Sequence, residues 1–354
     1  MSRFLKQQYA SLEVYTPGEQ PQDKQYIKLN TNESPYPPSD SVVKAVNSDE
    51  VRDLRLYSDP ECKELKTALA ELYEVTPQNI YLSNGSDDIL NFSFMAFSEN
   101  GAVFPEISYG FYKVFAELHR VNYTSIPLKE DFSINPTDYF DANGKLIVIA
   151  NPNAPTGLCL SVPEIESILK ANPDSVVLID EAYIDFGGES CYKLTKQYKN
   201  LLTVGTFSKS RSMAGARLGF AIADEELIAD LERIKYSTNP YNINRLTLVA
   251  GTAAVKDNGY YMDNCKRIVS SREYTAKELE KLGFFVLPSK ANFVFAKSDK
   301  IGGEELYLKL KANGILVRHF SKEKIKDFNR ITVGSQAEME KFIEVTKKIL
   351  EGIL

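Results

Sequence analysis

The chain has 354 residues, 43% of them hydrophobic, and carries 42 Lys and Arg against 48 Asp and Glu, a formal net charge of −6. This length predicts one large domain with a smaller one beside it. The mild net acidity argues against the broad basic surface of proteins that bind nucleic acid or anionic membranes. We therefore expect small-molecule partners, with neither nucleic acid nor membrane among them.

The cysteines and histidines argue against a disulfide-rich secreted protein and against a histidine metal site. The four cysteines lie far apart and form no C-x-x-C pair: Cys62, Cys159, Cys191 and Cys265. This spacing favours free thiols in a reducing compartment, and the two histidines are too few for a typical histidine metal site. The first residues lack the apolar core of a signal peptide, and no stretch approaches the ~18 apolar residues of a membrane span. We predict a cytoplasmic protein without a bound metal.

The predicted elements begin after an N-terminal arm, residues 1–35, which is rich in Pro, Gln, Asn and Tyr. Apolar residues at helical spacing predict helices at 61–75, 87–97, 110–120 and 161–171, the last opening with Ser161 and Glu164 in capping-box spacing. Apolar runs predict strands at 79–83, 101–104, 145–150, 175–180, 201–205 and 217–222. This alternation predicts an α/β domain over 56–255 with a doubly wound, mostly parallel sheet.

The remaining chain predicts a smaller α+β domain. Helical patterns cover 264–283, 304–314 and 338–350, and strand patterns fall within 284–298, 315–320 and 329–334. We assign residues 36–55 and 256–354 to this domain, because the arm must cross another surface before the chain enters the main sheet.

Polar residues follow the predicted strands of the large domain, at the edge where ligands bind in open α/β sheets. Ser86 and Asp87 open a helix directly after a strand, which is a seat for an anion. Tyr109 offers an aromatic platform, and the rigid turn NPNAPTG spans 151–157. Asp180 ends an apolar strand, where a carboxylate needs a cationic partner to stay charged. Each feature alone also fits a structural role, as a helix cap or a core tyrosine.

The segment TFSKSRSMAGAR, residues 206–217, follows the next strand. A lysine at the end of a buried strand loses hydration, and a partly neutral amine can attack a carbonyl carbon. Lys209 has that position, although a solvated lysine is the alternative. Thr206, Ser208 and Arg217 are donors suited to a phosphate.

One ligand uses all of these groups: pyridoxal 5′-phosphate. Its aldehyde needs the lysine, its phosphate needs the helix N-terminus with Ser and Arg, its ring needs a stacking partner, and its pyridine nitrogen needs a carboxylate. A nucleotide is a weaker choice, because the chain has no G-x-x-x-x-G-K-[ST] and no G-x-G-x-x-G after a first strand.

The motifs in their order resemble the class I/II aminotransferases, pyridoxal-phosphate enzymes with the aspartate-aminotransferase-type fold. The resemblance covers essentially the whole chain and is carried by LNTNESPYPPS, LYSDPE, NGSDD, SYGFY, NPNAPTG, DEAYIDF, TFSKSRSMAGARLGF and NRITVG. LNTNESPY and the short length point to the histidinol-phosphate branch. The resemblance implies a type I transferase fold, a homodimer with shared active sites, and amino transfer between histidinol phosphate and 2-oxoglutarate/glutamate in histidine biosynthesis.

The same resemblance assigns roles to individual residues. Lys209 matches the lysine that joins the cofactor aldehyde, Asp180 the partner of the pyridine nitrogen, and Tyr183 the donor to the phenolic oxygen. Tyr109 matches the ring-stacking aromatic. The phosphate-binding positions are Ser86, Asp87, Thr206, Ser208 and Arg217, together with Tyr57, which in the family reaches the cofactor phosphate of the neighbouring subunit.

The substrate positions also follow from the resemblance. Arg330 matches the arginine that holds the substrate α-carboxylate, and Arg318 the one that meets the substrate phosphate. Asn30, Asn32 and Tyr36 lie in the arm segment that covers the substrate. A structural ion pair remains the alternative for Arg330, and a solvent-facing edge strand for Arg318.

One position departs from the family pattern. The asparagine that precedes Pro-Thr-Gly and contacts the phenolic oxygen is replaced by Ala154, with Asn153 one residue earlier. Either Asn153 takes over this contact, or Tyr183 alone serves the phenolic oxygen.

Three alternative functions stay open. An aromatic amino acid aminotransferase or a threonine-phosphate-type decarboxylase would use the same cofactor. A non-catalytic cofactor-binding regulator is disfavoured, since such proteins usually carry an added DNA-binding domain.

Overall fold

The computed structural model describes residues 4–10, 12 and 15–354, so part of the predicted arm lies outside it. The helices are α1 Gln7–Ala10, α2 Asp40–Ala45, α3 Ser48–Arg52, α4 Lys63–Tyr73, α5 Ser86–Phe97, α6 Phe111–Leu118, α7 Val162–Ala171, α8 Glu225–Thr238, α9 Arg245–Lys256, α10 Asn258–Lys281, α11 Gly303–Ala312 and α12 Gln336–Leu350. The strands are β1 Ile27–Lys28, β2 Ile80–Ser83, β3 Ala102–Pro105, β4 Tyr123–Ile126, β5 Leu146–Ala150, β6 Val177–Asp180, β7 Leu201–Thr206, β8 Gly219–Ala223, β9 Phe284–Val286, β10 Phe293–Ser298, β11 Ile315–Leu316, β12 Arg318–His319 and β13 Phe328–Thr332.

A seven-stranded sheet in the order β2-β8-β7-β6-β5-β3-β4 forms the larger part of the molecule. The pairs from β4 through β7 are parallel, while β8 runs antiparallel to both β7 and β2. One face packs against α5, α6 and α8 through Phe94, Tyr112 and Leu231, and the other packs against α7 through Ile165 and Ile168. Because helices cover both faces, the central strands read as continuous apolar runs. The predicted mostly parallel, doubly wound sheet is confirmed.

The register of the central strands decides where the polar strand ends meet. Ala150 pairs with Asp180, and Asp180 pairs with Val204. In a parallel sheet all carboxyl ends point the same way, so the turns after β5, β6 and β7 share one edge.

A smaller antiparallel sheet in the order β12-β13-β10-β9 lies beside the first. Val294 and Ile331 from this sheet pack with Ile268 of α10 and Phe342 of α12. The predicted α+β character of this part is confirmed. Strand β1 pairs with β11, and Leu29 is buried in the same cluster, so the last residues of the predicted arm are packed.

The segment after the arm contacts the larger part of the molecule. Val42 of α2 packs with Leu65 of α4 and Ala250 of α9, in the cluster that also holds Leu82 of β2. The domain limits given above stay a prediction, and this contact favours grouping α2 with the large sheet.

Local sequence patterns predicted most of the helices and strands of the two larger sheets. The capping box of α7 is present, with the Ser161 backbone N–H donating to the Glu164 carboxylate at 2.7 Å. Strand β4 was not predicted, because it is an edge strand whose residues are mostly exposed and carry no apolar alternation. Helices α8 and α9 were also not assigned from the sequence. No helix among the described residues is both long enough and apolar enough to cross a membrane.

Gly219 sets how closely β8 approaches the turn before α5. A Cβ atom at this position would lie 2.4 Å from the Ser86 nitrogen and 2.5 Å from the Gly85 carbonyl carbon. We expect Gly219→Ala to lower the free energy of unfolding by about 1–3 kcal/mol, because backbone on both sides must move. Urea unfolding measures the change. The control is Gly259→Ala in α10, where nothing lies within 4 Å of the added Cβ. Equal losses in the two variants would contradict the prediction.

Candidate active site

A cavity of about 340 Å³ lies at the shared carboxyl edge of β5, β6 and β7. The structure brings most of the predicted cofactor residues to its wall: Ser86, Asp87, Tyr109, Asp180, Tyr183, Thr206, Ser208, Lys209 and Arg217. Asn153 and Tyr57 are not among its lining residues.

Lys209 enters this cavity from the loop that follows β7. Its ammonium donates to the carbonyl oxygen of Thr31 at 3.3 Å and lies 5.8 Å from the ring centre of Tyr183. Lys209 forms no ion pair with a described carboxylate. The amine is therefore held at the cavity wall by a single long hydrogen bond, which a ligand can replace.

Asp180 is buried at the end of β6, with 6% of its surface exposed. One carboxylate oxygen accepts from the Tyr112 hydroxyl at 2.8 Å, and the other accepts from the Ala182 backbone N–H at 3.2 Å. Burial raises the pKa of Asp180 to about 6, and these two hydrogen bonds oppose that rise. A carboxylate in this position is prepared to meet a cationic ring nitrogen.

Tyr112 is a contributor that the sequence analysis missed. It is fully buried, and its hydroxyl donates a hydrogen bond to the Asp180 carboxylate. It stands three residues after Tyr109 in SYGFY, in the first turn of α6. A second tyrosine beside a predicted stacking residue was the available signal, but only the fold places it against Asp180.

The far end of the cavity is built for an anion. Helix α5 begins at Ser86 after Gly85, which has φ +79°, and no side chain caps its N-terminus. Free backbone N–H groups and the helix dipole both favour negative charge there. The guanidinium of Arg217 lies close by, since a Cβ at Gly85 would be 2.7 Å from its Nη2 atom.

Asp87 serves this end indirectly. Its carboxylate accepts from Arg217 Nη2 at 2.8 Å and from the Tyr109 hydroxyl at 2.8 Å. A carboxylate repels a phosphate, so Asp87 orients Arg217 and Tyr109 and can offer a phosphate only its backbone N–H. The Thr206 hydroxyl accepts from the Ser208 N–H at 3.1 Å and donates to the Leu218 carbonyl at 3.4 Å.

Asn153 does not reach the cavity. It is buried, its amide donates to the Ile107 carbonyl at 3.0 Å, and its oxygen accepts from the Ser108 hydroxyl at 2.8 Å. Ala154 lines the cavity instead. The hypothesis that Asn153 takes over the phenolic-oxygen contact is therefore not supported, because both ends of its amide are used elsewhere.

A second cavity of about 650 Å³ adjoins the first and shares Tyr109, Tyr183 and Lys209 with it. Arg330 and Arg318 both line this cavity. The Arg330 Nη2 donates to the Asn30 carbonyl at 2.9 Å, while its buried Nε–H has no partner among the described residues. Arg330 also forms no ion pair with a described carboxylate, so the structural ion-pair alternative is not supported. A half-buried guanidinium with an unpaired Nε–H and no counter-charge is suited to an anionic ligand.

Arg318 forms hydrogen bonds with the backbone of the N-terminal arm. Its guanidinium donates to the carbonyl oxygens of Thr16 at 2.9 Å and Pro17 at 3.1 Å. These are neutral acceptors, and an anion binds a guanidinium more strongly than they do. Arg318 therefore faces the cavity with exchangeable partners.

Two predicted residues lie elsewhere. The guanidinium carbon of Arg267 lies 4.1 Å from the ring centre of Tyr36, and Tyr36 lines neither cavity. Tyr57 is 81% exposed and stacks on Tyr241 with 4.5 Å between ring centres. Asn32 lines the second cavity and donates to the Tyr183 hydroxyl at 2.9 Å.

The residues present fit pyridoxal phosphate. An amine, a buried carboxylate, a tyrosine hydroxyl and an uncapped helix N-terminus with an arginine face one cavity, which are the groups that this cofactor requires. Among the described residues no cluster of three His, Cys, Asp or Glu could hold a metal ion.

The raised pKa of Asp180 has a consequence for stability that requires no ligand. Since its folded-state pKa of about 6 exceeds the ordinary value, the carboxylate destabilises the apoprotein above pH 6, and this cost disappears as the pH falls to about 4. We expect Asp180→Asn to raise the free energy of unfolding at pH 8 by on the order of 2 kcal/mol, with a smaller difference at pH 4. Denaturant unfolding at several pH values measures it. The exposed Asp141→Asn controls for the lost charge, and a pH-independent difference at Asp180 would contradict the prediction.

Comparison with known proteins identifies the family of the chain. The family model for aminotransferase class I and II matches residues 24–345. The histidinol-phosphate aminotransferase of Brachyspira hyodysenteriae is 53% identical, over 99% of this chain and 100% of that protein. The histidinol-phosphate aminotransferase of a Marinomonas species is 50% identical, over 96% of this chain and 97% of that protein.

A solved structure shows the same fold. Histidinol-phosphate aminotransferase from Sinorhizobium meliloti, in complex with pyridoxal 5′-phosphate, superposes with a TM-score of 0.89, covering 100% of this chain and 99% of that chain at 23% identity. This superposition confirms the predicted type I transferase fold. The chain belongs to the aminotransferase class I and II family, whose enzymes use pyridoxal 5′-phosphate, and this membership together with the full-length relatives confirms the predicted cofactor and transaminase class.

Proposed function

We propose that this protein is a histidinol-phosphate aminotransferase, which exchanges an amino group between histidinol phosphate and 2-oxoglutarate/glutamate in histidine biosynthesis. The full-length relatives at about half identity carry that name. The single structural observation that supports it is the half-buried Arg330, whose Nε–H has no partner among the described residues, in a cavity that Lys209 also lines.

Pyridoxal phosphate, when bound, supplies an aldehyde carbon and an electron-withdrawing ring. Lys209 is the proposed group that takes a proton from the substrate carbon and returns it, because its amine is the base at the cavity wall. Asp180 is proposed to hold the proton on the ring nitrogen, and Tyr183 to donate to the phenolic oxygen. Ser86, Ser208 and Arg217 would hold the phosphate at the N-terminus of α5.

The two arginines suit two substrates that bind in turn. Glutamate presents an α-carboxylate and a side-chain carboxylate, whereas histidinol phosphate presents a phosphate and no carboxylate. A planar guanidinium accepts either anion in bidentate geometry. We propose that Arg330 holds the α-carboxylate and Arg318 the distal anion, which displaces the arm carbonyls from Arg318.

We also propose a homodimer with shared active sites. The segment that ends at Tyr57 exposes several large apolar side chains, which a second copy can bury. They are Val51, Leu54, Leu56 and Tyr57, and Tyr57 stacks on the exposed Tyr241. Tyr57 does not line the cavity of its own chain, which fits a role at the cofactor phosphate of a second copy. We further propose a cytoplasmic location without nucleic-acid or membrane partners, and a substrate-covering role for Asn30, which lines the second cavity.

The substrate assignment predicts a selective effect of Arg318. We expect Arg318→Ala to raise the KM for histidinol phosphate by about ten- to a hundredfold, the cost of one charged hydrogen bond, and to raise the KM for an unphosphorylated aromatic amine much less. Glutamate formation from 2-oxoglutarate measures both. Lys300→Gln, which removes a positive charge outside both cavities, is the control.

The alternatives give other outcomes in the same assay. No glutamate from histidinol phosphate, with carbon dioxide released from threonine phosphate, would establish the decarboxylase. Equal losses for phosphorylated and unphosphorylated donors would contradict the role of Arg318 and favour an aromatic amino acid aminotransferase.

The shared-site proposal predicts complementation. A Tyr57→Phe chain mixed with a Lys209→Ala chain produces hybrid dimers with one intact site and one site carrying both changes. At limiting cofactor we expect the mixture to recover up to about one quarter of wild-type activity, as random pairing of a symmetric dimer gives. Activity that stays at the average of the two separate variants, or a fully active monomer in sedimentation, would contradict the proposal.

A further inference from the structure

The amide of Asn32 contacts Tyr183 in a way that the predicted substrate-covering role does not explain. Asn32 is 1% exposed and adopts φ 56° in the segment that enters from the smaller sheet. Its Nδ2 lies 2.9 Å from the Tyr183 hydroxyl oxygen. A left-handed backbone conformation at a non-glycine residue costs free energy, and the contacts of the buried Asn32 side chain must offset it.

The hydrogen-bond network determines which end of the Asn32 amide faces Tyr183. The Thr332 hydroxyl oxygen accepts from the Asn32 backbone N–H at 2.9 Å, and its proton donates to the Asn32 side-chain oxygen, also at 2.9 Å. A flipped amide would leave the buried Thr332 proton without an acceptor among the described residues, so the amide oxygen is assigned to Thr332 and the NH₂ group to Tyr183. The Asn32 carbonyl accepts from the Asn292 amide at 3.0 Å, which fixes the backbone as well.

This polarity determines what the Tyr183 hydroxyl can do. Because the phenol oxygen accepts from Asn32, its own proton must point in another direction. Tyr183 lines the cavity together with Lys209, and its ring is held edge-on against Phe293 with 5.2 Å between ring centres. With the ring fixed and one side of the oxygen occupied, the cavity is the open direction for the proton.

Neither Asn153 nor Ala154 of the turn after β5 supplies an alternative side-chain donor. Ala154 has no polar side-chain group, and the Asn153 side-chain amide is used by Ile107 and Ser108. Tyr183 is therefore the side-chain hydroxyl that must serve an oxygen on the cofactor ring from this side of the cavity, and its orientation depends on Asn32.

We propose that Asn32 is a positioning residue that fixes the Tyr183 hydroxyl as a donor toward the phenolic oxygen of bound pyridoxal phosphate, and that Thr332 sets the direction of the Asn32 amide. The inference rests on the proposed role of Tyr183 toward the cofactor, and it extends that site into β13 of the smaller sheet. It makes the smaller sheet part of the cofactor site without direct contact with the cofactor.

The test is a double-mutant cycle in the holoenzyme without substrate. Asn32→Gly suits the positive φ and removes only the side chain. We expect it to raise the dissociation constant for pyridoxal phosphate by about two- to tenfold, the net effect of one hydrogen bond, and to shift the visible absorption maximum in the same direction as Tyr183→Phe does. In a Tyr183→Phe background we expect Asn32→Gly to have no further effect on either measurement.

A second variant keeps the test decisive if Asn32→Gly folds poorly. Thr332→Val retains the shape and removes the hydroxyl that orients the amide, so we expect a smaller shift of the absorption maximum in the same direction, again absent in Tyr183→Phe. Thr346→Val, the same change at a fully buried threonine of α12, is the control and should leave the spectrum unchanged.

Equal effects of Asn32→Gly with and without the Tyr183 hydroxyl would overturn the proposal, as would a Thr332→Val spectrum identical to wild type. Because no substrate is present, these outcomes are independent of whether histidinol phosphate is the donor. A protein that fails to use histidinol phosphate but shows the coupled spectral shift would refute the substrate and retain the role of Asn32.

Discussion

Parallel pairing of β5, β6 and β7 is the constraint on which the site depends. The register that sets Ala150 beside Asp180 and Asp180 beside Val204 places the ends of three strands in one row. Residues about 25–30 positions apart in the chain thereby share one cavity wall. The strands are buried on both faces, so a one-residue shift of β6 would exchange its side chains between two differently packed helix layers and would move Asp180 out of line with Ala150 and Val204. The site is thus held by the hydrophobic core of the sheet rather than by its own contacts.

Burial of the Asp180 carboxylate at the end of β6 is unfavourable, and the surrounding residues reduce this desolvation penalty. Placing Asp180 at the end of a buried strand removes its water, which is why its pKa lies near 6. The Tyr112 hydroxyl and the Ala182 N–H replace part of the lost hydration. At the other end, Arg217 forms an ion pair with Asp87 at 2.8 Å. A cofactor with a cationic ring nitrogen and an anionic phosphate matches both ends, since Asp180 is a carboxylate at one end and Arg217 lies beside the N-terminus of α5 at the other.

The segment 29–32 connects the two sheets at this site. Leu29 is held by backbone hydrogen bonds to Leu316 of β11 and to Thr332 of β13 in the smaller sheet. The next three residues each contact a different functional group: the Asn30 carbonyl meets Arg330, the Thr31 carbonyl meets Lys209, and the Asn32 amide meets Tyr183. A movement of the smaller sheet would therefore change the contacts of Arg330, Lys209 and Tyr183 together. Leu29, Asn30 and Asn32 are buried although they lie outside a regular strand, and these contacts satisfy buried backbone groups of the segment in place of a sheet ladder.

The sequence by itself determined the α/β alternation, the chemistry of the strand ends, and the family resemblance, because apolar periodicity and short motifs are local properties of the chain. Lys209, Asp180 and Arg217 could be named for this reason. The tertiary structure alone decided which way side chains point: Asn153 turns inward and Ala154 faces the cavity, although the two are adjacent. It also brought in Tyr112 and linked Asn32 to Thr332, contacts between residues far apart in the chain. Such contacts depend on how elements pack across the sheets, and no local pattern of residues records that packing.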